Sequence, residues 1–158
     1  MRDKRFWNNE INDILQANLD NLAKVHKKFW DLKQLPKKKF MEMKECELLV
    51  SETSLRVNLK SVKRAYILSK MTCSDEQTKL DSYNKMQFVE FLEFLCRLAL
   101  DLEDENLGRS SLAHLQRRLE IVLDHILSFI DVQRKEVVIE TLMDSDADLS
   151  DCDYWVPI

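Results

Sequence analysis

The sequence is poor in residues that interrupt helices. Of its 158 residues, one is glycine, Gly108, and two are prolines, Pro36 and Pro157. β-Sandwiches, Rossmann folds and phosphate-binding loops use glycine at tight turns, so this composition disfavours all three. The chain is also long enough to bury a core of its own. The composition therefore predicts an all-α protein.

Long apolar runs and paired cysteines are absent as well. No segment approaches the roughly 18 apolar residues that predict a membrane span. The chain has no CxxC pair and no secretory signal pattern, so we expect reduced thiols in a cytosolic compartment. The four cysteines are Cys46, Cys73, Cys96 and Cys152. These observations predict a soluble, cytoplasmic protein.

The residue clusters that carry catalysis or bind metals are missing too. The histidines are His26, His114 and His125. The last two would lie about 16 Å apart along a helix, too far to share a metal that needs bonds of about 2 Å. There is no glycine-rich phosphate cradle, no nucleophile elbow and no histidine near a cysteine in the sequence. We therefore expect no enzyme activity, no metal and no cofactor.

Apolar residues recur at helical spacings along most of the chain. The pattern predicts one long helix from Trp7 to about Lys33, ended by Pro36, and a short helix from about Met43. A third helix is predicted over 55–71, followed by a polar loop over 72–84. Its expected buried residues are Leu55, Leu59, Val62, Ala65 and Tyr66. The stripe from Phe88 to Leu102 is the clearest and predicts the central helix.

The C-terminal third reads as further helix and then an acidic tail. Gly108 is a helix stop, and Ser110 or Ser111 is the next N-cap. From Leu112 to Phe129 the apolar spacing alternates between 3 and 4, so this helix packs on the core or pairs with a partner helix. Val137, Val138 and Leu142 extend the helical pattern, with or without a break near Asp131. The expected units are an N-terminal helical domain over 1–105, a helical segment over 106–143 that packs on it, and the tail over 144–158.

Charge is distributed unevenly between the two halves of the chain. Residues 1–71 hold sixteen basic and nine acidic side chains, a net charge of +7, whereas residues 72–158 have a net charge of −11. Either the halves meet different surfaces or they attract each other. The basic side chains concentrate between residues 24 and 39. This stretch is a solvated face, a docking surface for an acidic protein, or a site for nucleic acid or anionic lipid.

Two segments 45 residues apart resemble each other. MEMKECELLV (41–50) aligns with MQFVEFLEFL (86–95), which places Met41 opposite Met86 and Glu45 opposite Glu90. Each copy follows a helix and a polar loop, so the chain contains two successive helix-loop-helix units. In calcium-binding units of this kind, the loop ends on a glutamate that grips the ion with two oxygens.

Over residues 20–100 the chain resembles the EF-hand superfamily. The stretch FVEFLEFLCRLA (88–99) is similar to the exiting helix of degenerate hands in ciliary axonemal subunits and in the tubulin-polymerisation-promoting family. The resemblance implies an EF-hand-like pair followed by an additional long helix or helical hairpin. It also implies a structural or adaptor protein of the cytoskeleton, with tubulin or axonemal subunits as partners and the cilium or flagellum as one location.

The loops themselves lack calcium chemistry. If Glu90 is the last of twelve positions, Lys79 takes the first ligand position and Asn84 stands where glycine is expected. Counting back from Glu45 puts Pro36 and Lys38 at ligand positions in the first loop. Calcium needs about six to eight oxygens, so we expect neither loop to bind it.

Two segments are candidate partner-binding sites. Lys37, Lys38 and Lys39 form a loop that we expect to be exposed and to bind an acidic partner. Tyr154, Trp155 and Ile158 follow five aspartates in the tail, and either dock into an apolar groove or form a disordered end. The alternatives to an adaptor are a calcium-regulated sensor and a helical regulator that binds nucleic acid or anionic membrane.

Overall fold

A computed structural model describes residues 6–71, 76–103 and 114–137. Its described part is helical, and the prediction of an all-α protein is confirmed. None of these helices is both long enough and apolar enough to cross a membrane. The helices are α1 (Asn9–Ala17), α2 (Leu19–Trp30), α3 (Met43–Glu52), α4 (Leu59–Ser69), α5 (Glu76–Lys79), α6 (Phe88–Leu100) and α7 (Leu115–Ser128).

Local capping explains where several helices begin. Asn8 accepts a hydrogen bond from the Ile11 backbone N–H, 2.9 Å, at the start of α1. Asn58 does the same for Ser61, 2.8 Å, at the start of α4. Both α3 and α6 begin with capping boxes, which satisfy two N–H groups that have no partner within the helix.

The predicted central helix is α6, and the structure confirms this. It packs most extensively against α4 and α7. α7 also contacts α1 and α2, which explains why its apolar stripe is buried instead of free for a partner helix. The fully buried α6 residues include Phe91, Phe94, Leu95 and Leu98, and the buried α7 residues include Leu115, Leu119, Val122 and Ile126.

The prediction of one long N-terminal helix is wrong, because the helix is interrupted at Asn18, between α1 and α2. This residue is buried, and its carboxamide binds the segment that follows α7. The Asn18 amide donates to the Ile14 carbonyl, 2.9 Å, and to the Lys135 carbonyl, 3.2 Å. Its oxygen accepts from the Lys135 backbone N–H, 2.8 Å. These bonds replace a continuous helix at this point.

Three smaller predictions also need correction. Leu59 is 54% exposed, because it is the first residue of α4 and the buried face begins at Val62. The polar loop over 72–84 contains α5 and a 3-10 turn, Leu80–Asn84. Residues 132–137, after the turn at Asp131, are irregular and not helical, since this segment binds Asn18. Gly108, Ser110, Ser111, Leu112, Val138, Leu142 and both expected domain boundaries lie outside the described residues.

The two repeat segments meet in space. The loop between α2 and α3 (31–42, the first loop) and the loop between α4 and α6 (70–87, the second loop) touch at Met41 and Met86. The Met41 N–H donates to the Met86 carbonyl, 3.0 Å, and the Met86 N–H donates to the Met41 carbonyl, 2.7 Å. This antiparallel bridge joins the residues that the repeat aligns.

Candidate functional site

The two loop glutamates are buried and bound by lysines. Glu45 and Glu90 are each the third residue of their helix, α3 and α6. Each carboxylate accepts a hydrogen bond from the backbone N–H that precedes its helix: Glu42 for Glu45 and Gln87 for Glu90, both 2.9 Å. Lys38 binds the other oxygen of Glu45, Oε1, whereas Lys70 binds the same oxygen of Glu90, Oε2, that accepts from Gln87.

In the second loop, Lys70 supplies the cation. Its ammonium lies 2.7 Å from the Glu90 Oε2 and also donates to the Lys85 carbonyl. The Met71 N–H donates to the other carboxylate oxygen, 2.9 Å. The Lys70 and Glu90 side chains are only 5% and 7% exposed, so this ion pair is buried.

In the first loop, Lys38 supplies the cation. Its ammonium binds the Glu45 Oε1, and the two side chains are 4% and 5% exposed. The exposure predicted for Lys38 is therefore wrong. Lys37, in the left-handed region with φ 66°, and Lys39 are exposed as predicted. Partner binding by Lys37 and Lys39 stays a prediction, because the structure contains no partner.

A histidine links α2 to the Met41–Met86 bridge. His26, on α2, is buried against the rings of Phe88 and Phe91, with centroids 5.6 and 5.2 Å away. Its Nε2 donates to the Met86 carbonyl, 3.3 Å. Burial lowers the pKa of His26 below its ordinary value of 6.5, although the Met86 carbonyl and the charge of Glu45 act in the opposite direction. His26 is thus a neutral core residue near neutral pH.

The described cysteines are core residues without reactive character. Cys46 and Cys96 are free and buried, which agrees with the expected reduced thiols. Burial raises the pKa of the Cys96 thiol to about 12, and burial also raises the pKa of the Cys46 thiol. Nucleophilic chemistry needs the thiolate, which these values disfavour at neutral pH. Cys73 and Cys152 lie outside the described residues.

A basic surface lies on the side of α2 that faces solvent. Lys24, Lys27 and Lys28 are exposed and occupy one helical stripe, at spacings of 3 and 4. We call these three residues the basic face. They border a shallow open depression whose other lining residues are Asp31, Leu32 and Gln34. Within the described part of the chain, none of the three lysines pairs with a carboxylate within 4 Å.

One member of the basic face has a further contact. The Lys28 ammonium lies 4.4 Å from the ring centroid of Phe129, just after α7. This cation–π contact holds α2 to the end of α7. Lys24 and Lys27 are therefore the members whose charge can be changed with least effect on the fold.

A second depression is lined by acidic and basic side chains, and both of its arginines pair with carboxylates. It lies between α1, α7 and residues 134–137. Arg134 donates to Asp124, 2.9 Å, and lies 3.8 Å from Glu120, which also pairs with Arg117 at 3.2 Å. These pairs hold the segment after α7 against the helices. The described residues contain no cluster of three or more metal-binding side chains.

Sequence reasoning missed two residues that build this site. Lys70 lies 20 residues before Glu90 in the sequence, a separation that no local motif reveals. Asn18 interrupts the apolar stripe of the first helices, and that polar position was the available signal. The expected partner-binding residues Tyr154, Trp155 and Ile158 lie outside the described residues.

The chain matches no protein-family profile, no curated protein and no solved structure.

Proposed function

We propose that this chain is a non-catalytic helical adaptor that docks an acidic protein partner and works without calcium. The observation that carries the proposal is the basic face. Its three exposed lysines lie on one stripe of α2 beside an open depression, and none pairs with a carboxylate within the described residues. Exposed lysines add little to stability, whereas their clustering on one side steers association with an acidic surface.

The arrangement of the loops supports the proposal that the adaptor works without calcium. Two helix-loop-helix units joined by the Met41–Met86 bridge are the organisation expected of an EF-hand-like pair. In both units a lysine ammonium binds the carboxylate that would hold calcium. A sensor needs oxygen-rich loops, so an adaptor with a fixed shape fits better than the sensor alternative.

The proposed setting is a cytoskeletal assembly, with tubulin or an axonemal subunit as the acidic partner. It rests on the resemblance of residues 20–100 to degenerate hands of ciliary and tubulin-associated proteins. Lys37 and Lys39, in the loop after α2, are proposed to extend the contact made by the basic face. Lys38 is left out because its charge is used internally.

Co-sedimentation with microtubules tests the proposal. The test variant is Lys24→Glu/Lys27→Glu, and its matched control is Lys60→Glu/Arg64→Glu on the exposed side of α4. Both variants change the net charge by the same amount. We expect binding by the wild type and the control, binding lowered at least tenfold in the test variant, and binding lost at higher salt.

Three outcomes would contradict this function. Equal loss in both variants would show that only overall charge matters. Binding unaffected when the acidic tails of tubulin are removed would exclude those tails as the partner surface. Steeply salt-dependent binding to RNA or to anionic vesicles, without binding to microtubules, would favour the alternative of a nucleic-acid or membrane regulator.

A further inference from the structure

The geometry points to two built-in cation sites, in which the ammonium groups of Lys38 and Lys70 permanently occupy the positions of loop cations. The sites are therefore specific for a primary ammonium group and not for a divalent metal. This inference concerns the interior of the loops and does not depend on the docking function proposed above.

In the second loop, the Lys70 ammonium lies where a bound cation would lie in a calcium loop. In a twelve-residue calcium loop, position 7 contributes its backbone carbonyl and position 12 its glutamate carboxylate. When Glu90 is position 12, Lys85 is position 7. The Lys70 ammonium binds both of these groups, the Lys85 carbonyl and the Glu90 carboxylate. It thus contacts the two oxygen groups that would face a calcium ion.

In the first loop a different lysine binds the equivalent glutamate. Lys38 comes from inside its loop, whereas Lys70 is the residue that follows α4. Each ammonium nevertheless binds the glutamate at the third position of the exiting helix. Because two unrelated chain positions deliver the same group to equivalent carboxylates, the cation is the common requirement of the two loops.

Aromatic rings complete both sites. The Lys38 ammonium lies 5.4 Å from the ring centroid of Phe40, and the Lys70 ammonium lies 5.7 Å from that of Tyr66. A ring face attracts an ammonium group but supplies no oxygen ligand to calcium. The carboxylate of Asp81 is also turned elsewhere, since it pairs with the Lys85 ammonium, 2.6 Å, at the surface. The surroundings thus favour an ammonium ion.

The consequence is testable by chemical rescue. Lys70→Ala removes three methylene groups and the ammonium, which together correspond to propylammonium. A buried glutamate without its partner is strongly destabilising, so we expect the melting temperature to fall by on the order of 10 °C. Millimolar propylammonium should restore most of the loss, because it refills the site, whereas tetramethylammonium, which has no N–H donor, should not.

Two matched variants separate the site from general effects of salt and charge. Lys85→Ala removes a half-buried lysine of the same loop, whose ammonium pairs at the surface with Asp81, but keeps the backbone carbonyl, so we expect a small change and no rescue. Lys70→Ala/Glu90→Gln lacks the carboxylate and should not respond to propylammonium. Equal stabilisation of the wild type and Lys70→Ala by propylammonium, or no stabilisation of either, would overturn the inference.

Lysine labelling of the wild-type chain gives an answer even when Lys70→Ala does not fold. Brief acetylation followed by mass spectrometry should modify Lys37 and Lys39 at least tenfold faster than Lys38 and Lys70. Protection should disappear when the protein is unfolded in denaturant. If Lys38 and Lys70 react as fast as their exposed neighbours, the ammonium groups do not occupy the loops and the inference is wrong.

Discussion

Three consecutive lysines of the first loop have different surroundings although their side chains are identical. Lys37 and Lys39 are exposed, whereas Lys38 is buried against Glu45. The left-handed backbone of Lys37 and the hydrogen bond from the Lys38 N–H to the Leu35 carbonyl, 3.3 Å, shape the turn here. A charge-reversal experiment on all three lysines would therefore mix loss of a surface charge with loss of a buried ion pair.

His26 makes stability depend on pH. Its pKa is lowered in the folded protein, so the unfolded chain takes up a proton that the folded chain does not as the pH falls through about 6.5. The contribution of neutral His26 to the free energy of unfolding should therefore be fully present above that pH. The free energy of unfolding should decrease as the pH falls below about 6.5, by at most about 1.4 kcal/mol per pH unit for one proton.

Urea unfolding between pH 8 and pH 5.5 measures this dependence. His26→Gln can still donate to the Met86 carbonyl but does not titrate, so its unfolding free energy should be flatter with pH. His114→Gln, at an exposed residue, is the control and should keep the wild-type slope. An unchanged slope in His26→Gln would show that other groups cause the dependence.

At the scale of the element, the break between α1 and α2 depends on a contact far along the chain. The apolar residues on both sides of Asn18 follow one helical pattern, and only the polar side chain of Asn18 departs from it. The Asn18 carboxamide instead pairs with both backbone groups of Lys135, 117 residues later. α1, α2 and the segment after α7 are thereby tied together at one buried side chain.

Replacing this side chain should release the segment after α7. Asn18→Ala removes the partners of the Lys135 N–H and C=O, and we expect a loss of about 1 to 3 kcal/mol in unfolding free energy. Hydrogen exchange at residues 132–137 should accelerate, while the core of α6 stays protected. Asn12→Ala, at an exposed position of α1, is the control. Slow exchange over 132–137 in Asn18→Ala would contradict the role of this contact.

At the scale of the whole molecule, contacts between protein groups join the two helix-loop-helix units. The Met41–Met86 bridge connects the loops, His26 binds the bridge from α2, and Lys38 and Lys70 supply the positive charge. A ligand stabilises a protein only to the extent that it binds the folded form. A protein whose loop cations are its own side chains gains nothing from calcium.

We therefore expect millimolar calcium, or a chelator, to leave the melting temperature unchanged. Differential scanning calorimetry of the wild type measures this directly, with magnesium as the control cation. An increase of several degrees in calcium that is abolished by Glu90→Gln would mean that calcium displaces Lys70. The sensor alternative would then replace the adaptor.

Much of the fold could be predicted because its signals are local. The apolar phase of α6 and α7, the start of α3 at Met43 and the alignment of Met41 with Met86 all follow from spacings of a few residues. The basic residues of α2 are likewise evident from the composition. Whether they bind a partner depends on a second molecule, which sequence patterns within one chain do not describe.

The sequence by itself determined the helical class, the main helices and the absence of oxygen-rich calcium loops, because each of these depends on neighbours within one or two turns. Only the tertiary structure decided that Lys38 and Lys70 are internal cations, that His26 binds the Met86 carbonyl and that Asn18 interrupts the first helix. The Asn18, His26 and Lys70 contacts join residues 117, 60 and 20 positions apart. Burial and pairing over such distances depend on how the whole chain packs, and a local sequence pattern does not determine that packing.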